Sequence, residues 1–200
     1  MTLREAFNDR ILLLDGAMGS LLMKGNNDHL SLTNPEAILD IHRRYVAAGA
    51  DVITTNTFSS QRISQHDYHL DEQIEAMNRA AVRLARQAAS EARDHQVFVL
   101  GDVGPTSKML SMSEDADDPA ARSITFDQLE AAYLEQIQVL VEEGVDGILI
   151  ETIFDTLNAK AAIFAAEEAM AATGCKVPLM LSLTVADKGG RTSSSCNARW

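Results

Sequence analysis

Four polar residues stand directly behind short apolar runs. Asp15 follows Ile11-Leu12-Leu13-Leu14, and Asn56 follows Asp51-Val52-Ile53-Thr54-Thr55. Asp102 follows Val97-Phe98-Val99-Leu100 and Gly101, and Glu151 follows Gly147-Ile148-Leu149-Ile150. A carboxylate in such a place can bind an ammonium group, orient a water or hold a metal ion; it can equally accept backbone N–H bonds and fix a loop. Both readings stay open for Asp15 and Glu151, while Asp102 reads more readily as loop-fixing. The stretch Thr54-Thr55-Asn56-Thr57-Phe58 puts four polar side chains behind a buried run, so they either line a pocket or satisfy one another.

Glycine punctuates the same positions. Asp15-Gly16-Ala17-Met18-Gly19 is a tight turn without a G-x-G-x-x-G pattern, and Gly101-Asp102-Val103-Gly104-Pro105-Thr106 is a second turn suited to close backbone approach. Lys188-Gly189-Gly190-Arg191 could offer donors and charge to an anion, but it reads first as a plain loop. Cys175, Cys196 and the histidines His29, His42, His66, His69 and His95 form no H-E-x-x-H and no paired-cysteine spacing. No G-x-S-x-G elbow supports serine hydrolysis.

The elements that must position these residues alternate along the chain. The bounded apolar runs, with a fifth at Pro178-Leu179-Met180-Leu181-Ser182-Leu183, fit strands buried on both faces of a parallel sheet. Helical periodicity is predicted over 35–48, opened by Asn34, Pro35 and Glu36, then over 71–93, 125–143 and 156–172. The second helix presents Ile74, Met77, Ala81, Leu84, Ala85 and Ala88 on one face; the third presents Leu129, Ala132, Tyr133, Ile137, Leu140 and Val141. Glycines 49, 144 and 174 close helices just before the next strand. The chain therefore reads as four βα units and a fifth strand, without a linker, and its functional rim is the C-terminal end of the strands. The Ser111–Ser123 segment reads as a solvated acidic loop.

Composition narrows the function. The 200 residues carry a formal net charge of −12, which repels phosphate backbones and anionic lipid, so neither nucleic acid nor a membrane is expected as partner. No run is long enough to span a bilayer and the N-terminus lacks signal-peptide architecture, so the expected setting is cytoplasmic.

Six ordered segments carry a resemblance: Asp15-Gly16-Ala17-Met18-Gly19, Gly49-Ala50-Asp51, Thr55-Asn56-Thr57-Phe58, Gly101-Asp102-Val103-Gly104-Pro105-Thr106, Gly147-Ile148-Leu149-Ile150-Glu151-Thr152 and Phe154-Asp155-Thr156-Leu157-Asn158-Ala159-Lys160-Ala161. The chain resembles the homocysteine S-methyltransferase family, and within it the homocysteine-binding domain of cobalamin-dependent methionine synthase. The resemblance implies an α/β fold, a partial (βα)8 TIM barrel comprising the first four βα units plus the fifth strand. It implies transfer of a methyl group to the homocysteine sulfur, with zinc holding the thiolate and methylcobalamin as donor on a separate domain. Cobalamin and methyltetrahydrofolate domains of a larger enzyme would then be partners. Asp15 and Glu151 would hold the homocysteine amino group, the backbone of Ala17, Met18 and Gly19 would cradle its carboxylate, and Asn56 and Thr57 would line the pocket wall. Asp155 and Asn158 would hold a loop in shape.

Several departures shape the expectations. The family's zinc cysteines are expected beyond Trp200, so Cys196 is not assigned as a ligand. The Lys24–Thr33 loop is shorter than in relatives of the methionine-synthase type, and residues 193–200 read as a divergent tail behind a 1–192 barrel portion. Five strands leave two sheet edges, with Leu12, Ile53, Val99 and Leu149 expected to face the barrel axis. The resulting expectation is a marginal, self-associating chain that is inactive alone. The alternatives are a non-catalytic barrel remnant that binds itself or a partner through those edges, and an unrelated βα enzyme acting directly through its carboxylates.

Overall fold

Residues 1–22, 25–113, 117–118 and 120–185 are described by a computed structural model. The glycine loop at 188–191, Cys196 and the predicted tail lie outside the described residues.

Four parallel strands form one sheet in sequence order: β1 (Val52–Thr54), β2 (Phe98–Val103), β3 (Gly147–Ile153) and β4 (Leu179–Leu183). The sheet does not close. The Ile11–Leu14 run, expected as a first strand, lies against β1 through a single bridge between Leu14 and Val52, supported by Asp15 N–H donating to the Val52 carbonyl at 2.9 Å. Helices follow the strands, as the fold class requires: α6 (Ile74–Glu91) after β1, α7 (Phe126–Glu142) after β2 and α8 (Thr156–Thr173) after β3. Ahead of β1 lie α1 (Leu3–Asp9), α2 (Gly19–Leu22), α3 (Leu30–Thr33) and α4 (Pro35–Ala47); α5 (Arg62–His66) and a 3-10 turn at Asp71–Gln73 precede α6. Among the described residues, no helix is long and apolar enough to cross a membrane.

Strand alternation sorts the core into two layers. Ile53, Val99, Ile148 and Ile150 face the helices and pack with the buried stripes of α6, α7 and α8. Val52, Phe98, Leu100 and Leu149 face the other way, with Leu12 and Met180 beside them. Ile53 and Val99 therefore do not face the barrel axis; they stand one residue out of phase with the set that does. Nor is the axial set bare. Leu3 and Ala6 of α1 cover it, and Phe98 is 1% exposed. Helix α1 was not read from the sequence, although its signal is present. Thr2 caps the helix through its hydroxyl on Glu5 N–H, and the Glu5 carboxylate accepts Thr2 N–H at 2.7 Å, a reciprocal capping box.

The helix-to-strand turns repeat one device. Asp51 follows Gly49 and Asp146 follows Gly144, both glycines being left-handed. Asp51 accepts Leu13 N–H at 2.9 Å and pairs with Arg10 at 2.7 Å; Asp146 accepts Val99 N–H at 2.7 Å and pairs with Arg86 at 2.7 Å. Each aspartate thus ties the start of one strand to the backbone of the preceding segment. The outer face of β4 is left open, with Leu181 52% and Leu183 37% exposed.

Candidate functional site

At the C-terminal ends of the strands the axial layer changes from apolar to acidic. Phe98, Leu100 and Asp102 alternate on one face of β2, and Leu149 and Glu151 continue the same layer on β3, where Leu149 is in register with Asp102. Above this floor opens a cleft of ≈ 800 Å³. Asp15, Ala17, Met18, Gly19, Asn56, Thr57 and Glu151, the residues singled out by resemblance, all line it. So do Asp28 and Asp102, which sequence reasoning did not assign to a binding role.

The acidic groups are held differently. Asp15 accepts Thr54 N–H at 3.0 Å and the Thr54 hydroxyl at 3.2 Å. Burial outweighs these bonds and pushes the carboxyl up to about 7, with the Glu151 charge adding to the shift. Asp28, at the head of α3, accepts Ser59 N–H and the Gln65 amide, and burial raises it to about 6. Asp102 is 5% exposed, and its Oδ1 has no hydrogen-bond partner among the described residues. Burial, and then the Glu151 charge, push its carboxyl far above the ordinary carboxylate range, with Asp28 and Asp15 adding to the shift. Glu151 is raised by burial and pulled back by a hydrogen bond from the Asp102 carboxyl. Two carboxyls can hydrogen-bond only with a proton between them, so the Asp102–Glu151 pair titrates as a unit that holds one proton.

Asp102 does not fix its loop through its side chain. Its backbone does that work: its N–H donates to Thr55 Oγ1 at 3.0 Å, and its carbonyl accepts from Thr57 Oγ1 at 2.7 Å and from Gln136 Nε2 of α7 at 3.2 Å. The carboxyl is left over for the cleft. The polar stretch behind β1 mostly satisfies itself. Thr55 and Thr57 hydroxyls lie 2.7 Å apart, and Asn56 Nδ2 donates to the Asn27 carbonyl at 2.8 Å and to Ser31 Oγ at 3.1 Å. Asn56 and Thr57 therefore border the cleft with the Asn56 amide nitrogen and the Thr57 hydroxyl committed to its wall.

Local backbone shape aims the site. Glu151 lies next to Thr152, which has φ 56°, a left-handed conformation costly for a β-branched residue. The β3–β4 register shifts between Ile150 and Ile153, so a bulge turns this strand end. Gly104 lets the second turn press against Phe58, whose carbonyl would stand 2.6 Å from an added Cβ. Tyr45 of α4 donates to the Ala17 carbonyl at 3.1 Å and anchors the first turn. Asp155 and Asn158 at the start of α8 hold the loop behind β2. Asp155 accepts from Ser111 N–H and hydroxyl, while Asn158 accepts Leu110 N–H and donates to the Lys108 carbonyl.

No Lys, Arg or His is among the described residues that line the cleft. Among the described residues no group of three His, Cys, Asp or Glu could hold a metal ion, and Cys175 is exposed behind the C-terminal end of α8. The described residues therefore do not fit a zinc site.

An open parallel βα sheet carrying an acid-lined cleft at its strand ends defines a small-molecule-binding barrel portion. The homocysteine S-methyltransferase family model matches residues 12–198, and the chain belongs to that family. Its fold is similar to crystal structures of the homocysteine methyltransferase MmuM from Escherichia coli. The metallated form superposes with a TM-score of 0.74 at 24% identity, covering 96% of this chain and 69% of that one. The oxidized form gives 0.75 at 24% identity over 97% and 69%, and the apo form 0.64 at 24% identity over 95% and 67%.

Proposed function

We propose that this chain binds L-homocysteine in the cleft and forms the homocysteine-binding part of a zinc-dependent methyltransferase that makes methionine. The observation that carries this reading is the convergence of Asp15 and Glu151 beside the Ala17–Gly19 turn in one cleft that contains no basic side chain among its described lining. The α-ammonium group is attracted to the two acids. The substrate carboxylate, repelled by them, lies toward the backbone of Ala17, Met18 and Gly19, where N–H groups are its available donors. Family membership supports the methyl-transfer chemistry.

Zinc held by residues other than those described would supply a thiolate form of homocysteine at neutral pH. Its ligands are proposed to lie beyond Trp200, which leaves the amino-acid end of the substrate to the residues described here. Methylcobalamin as donor, with cobalamin and methyltetrahydrofolate domains as partners, rests on the ordered motifs that resemble the methionine-synthase branch.

Equilibrium dialysis with labelled L-homocysteine at neutral pH tests the binding. Saturable uptake that is lost in Glu151→Ala supports the reading, and its absence overturns it. Methionine formation from methylcobalamin and homocysteine is expected only when the zinc ligands are supplied as well. Turnover by the 200-residue chain alone would overturn the proposed location of those ligands.

A further inference from the structure

The free Asp102 oxygen is the feature of the cleft that the reading above does not use. Three carboxyls face one space from three elements: Asp15 behind the Ile11–Leu14 run, Asp102 on β2 and Glu151 on β3. An α-ammonium group carries three N–H donors, and a fully desolvated one needs an acceptor for each. Asp15 spends its oxygens partly on Thr54, whereas Asp102 Oδ1 is buried and spends nothing. The Asp102 backbone is held by Thr55, Thr57 and Gln136, and its Oδ1 is left without a partner among the described residues.

We infer that Asp102 is a third binding residue for the substrate ammonium, and that the proton it shares with Glu151 leaves to solvent when that ammonium enters. The inference rests on the amino-acid reading of the cleft. Before binding, the proton lies between the two carboxyls and spares the cleft a further buried negative charge. A cation arriving between them takes over that compensation. The O–H bond within the pair breaks, its proton goes to buffer, and both carboxylates accept N–H bonds from the ligand. Among the described residues the charged and titratable groups facing Asp102 are Glu151, Asp28 and Asp15, all acidic, so none of them supplies the cation for this exchange.

Proton linkage measures it directly. Calorimetric titrations of the full 200-residue chain at pH 8, where Asp15 (about 7) and Asp28 (about 6) are already largely ionised, in buffers of different ionisation enthalpy, give the protons released per ligand. L-Homocysteine and L-homoserine share the ammonium and differ at the sulfur; 4-sulfanylbutanoate keeps the thiol and lacks the ammonium. Release of about one proton with both amino acids and none with 4-sulfanylbutanoate is expected. Asp102→Asn should abolish that release and make the fall in affinity on acidification shallower by about tenfold per pH unit. Homocysteine binding without release, or release that survives in Asp102→Asn, overturns the inference. Homoserine binding with Asp102-dependent release while homocysteine fails to bind keeps the inference and overturns the homocysteine reading. Failure of both amino acids to bind overturns both. Should Asp102→Asn not fold, the wild-type comparison of ammonium-bearing and ammonium-free ligands decides the matter alone.

Discussion

The two ends of the sheet use the same residue type in opposite ways. At the strand starts, Asp51 and Asp146 each receive a backbone N–H and an arginine, and the Arg10 guanidinium holds Asp51 below the usual carboxylate range. At the strand ends, Asp15, Asp28, Asp102 and Glu151 crowd one cleft whose described lining contains no basic side chain, and burial drives all four upward. The first arrangement is self-sufficient and holds the fold. The second has no cation among the described residues, a place that the proposed ammonium ligand would take. A binding site of this kind stores its affinity as local destabilisation, which is why acidic groups without partners belong at the end where loops can admit a ligand.

The contrast can be broken first through Asp15. Its carboxyl stands at about 7 in the folded chain against an ordinary value of 3.8. Between those values the folded state holds a proton that the unfolded state has lost, so this contribution to stability is complete below pH 4 and is lost as pH rises through 7. Asp15→Asn is therefore expected to match the wild type in urea unfolding near pH 4 and to exceed it by up to about 4 kcal/mol at pH 8. A pH-independent difference would dissolve the contrast. Glu151→Ala comes next: it should weaken homocysteine binding about 100-fold, the scale of a desolvated charged partner, with little effect on the melting temperature. The floor should answer in the reverse sense. Asp51→Ala strands Leu13 N–H and unpairs Arg10, so a loss of about 2 kcal/mol in unfolding is expected with binding unchanged. The smallest effect is expected at the bulge, where Thr152→Gly relieves the left-handed strain and should gain up to about 1 kcal/mol at some cost in affinity as Glu151 loosens.

The open faces allow a coarser measurement. Leu181 and Leu183 on β4, with Ile11 and Leu13 at the other side of the sheet, are exposed. The axial layer is covered by α1, so association is expected to run through these edges, as the sequence suggested. Sedimentation of Leu181→Lys against the wild type tests this, the variant being the more monomeric.

Much of this arrangement is legible before any coordinates. The alternation of apolar runs and helical stripes follows from periods of two and of 3.6, which depend only on neighbours along the chain. Asp15 and Glu151 are visible because they stand immediately behind such runs, and every residue given a binding role by resemblance lines the cleft. Helix α1 left a capping box at Thr2 and Glu5 that a closer reading could have used. Which strand face meets α1, and so the true partners of Ile53 and Val99, depends on packing across the sheet. Local sequence cannot specify that choice when both faces are apolar. Asp28 carried no local signal, since its place comes from contacts with Ser59 and Gln65 more than 30 residues away. The role of Asp102 was decided in the same way. In sequence it is one more polar residue in a glycine turn; only in the fold do Thr55, Thr57 and Gln136 claim its backbone and leave its carboxyl buried against Glu151. Position along a strand is a one-dimensional property that the chain determines by itself. The charge state of a carboxyl depends on what surrounds it in three dimensions, and only the tertiary structure decides that.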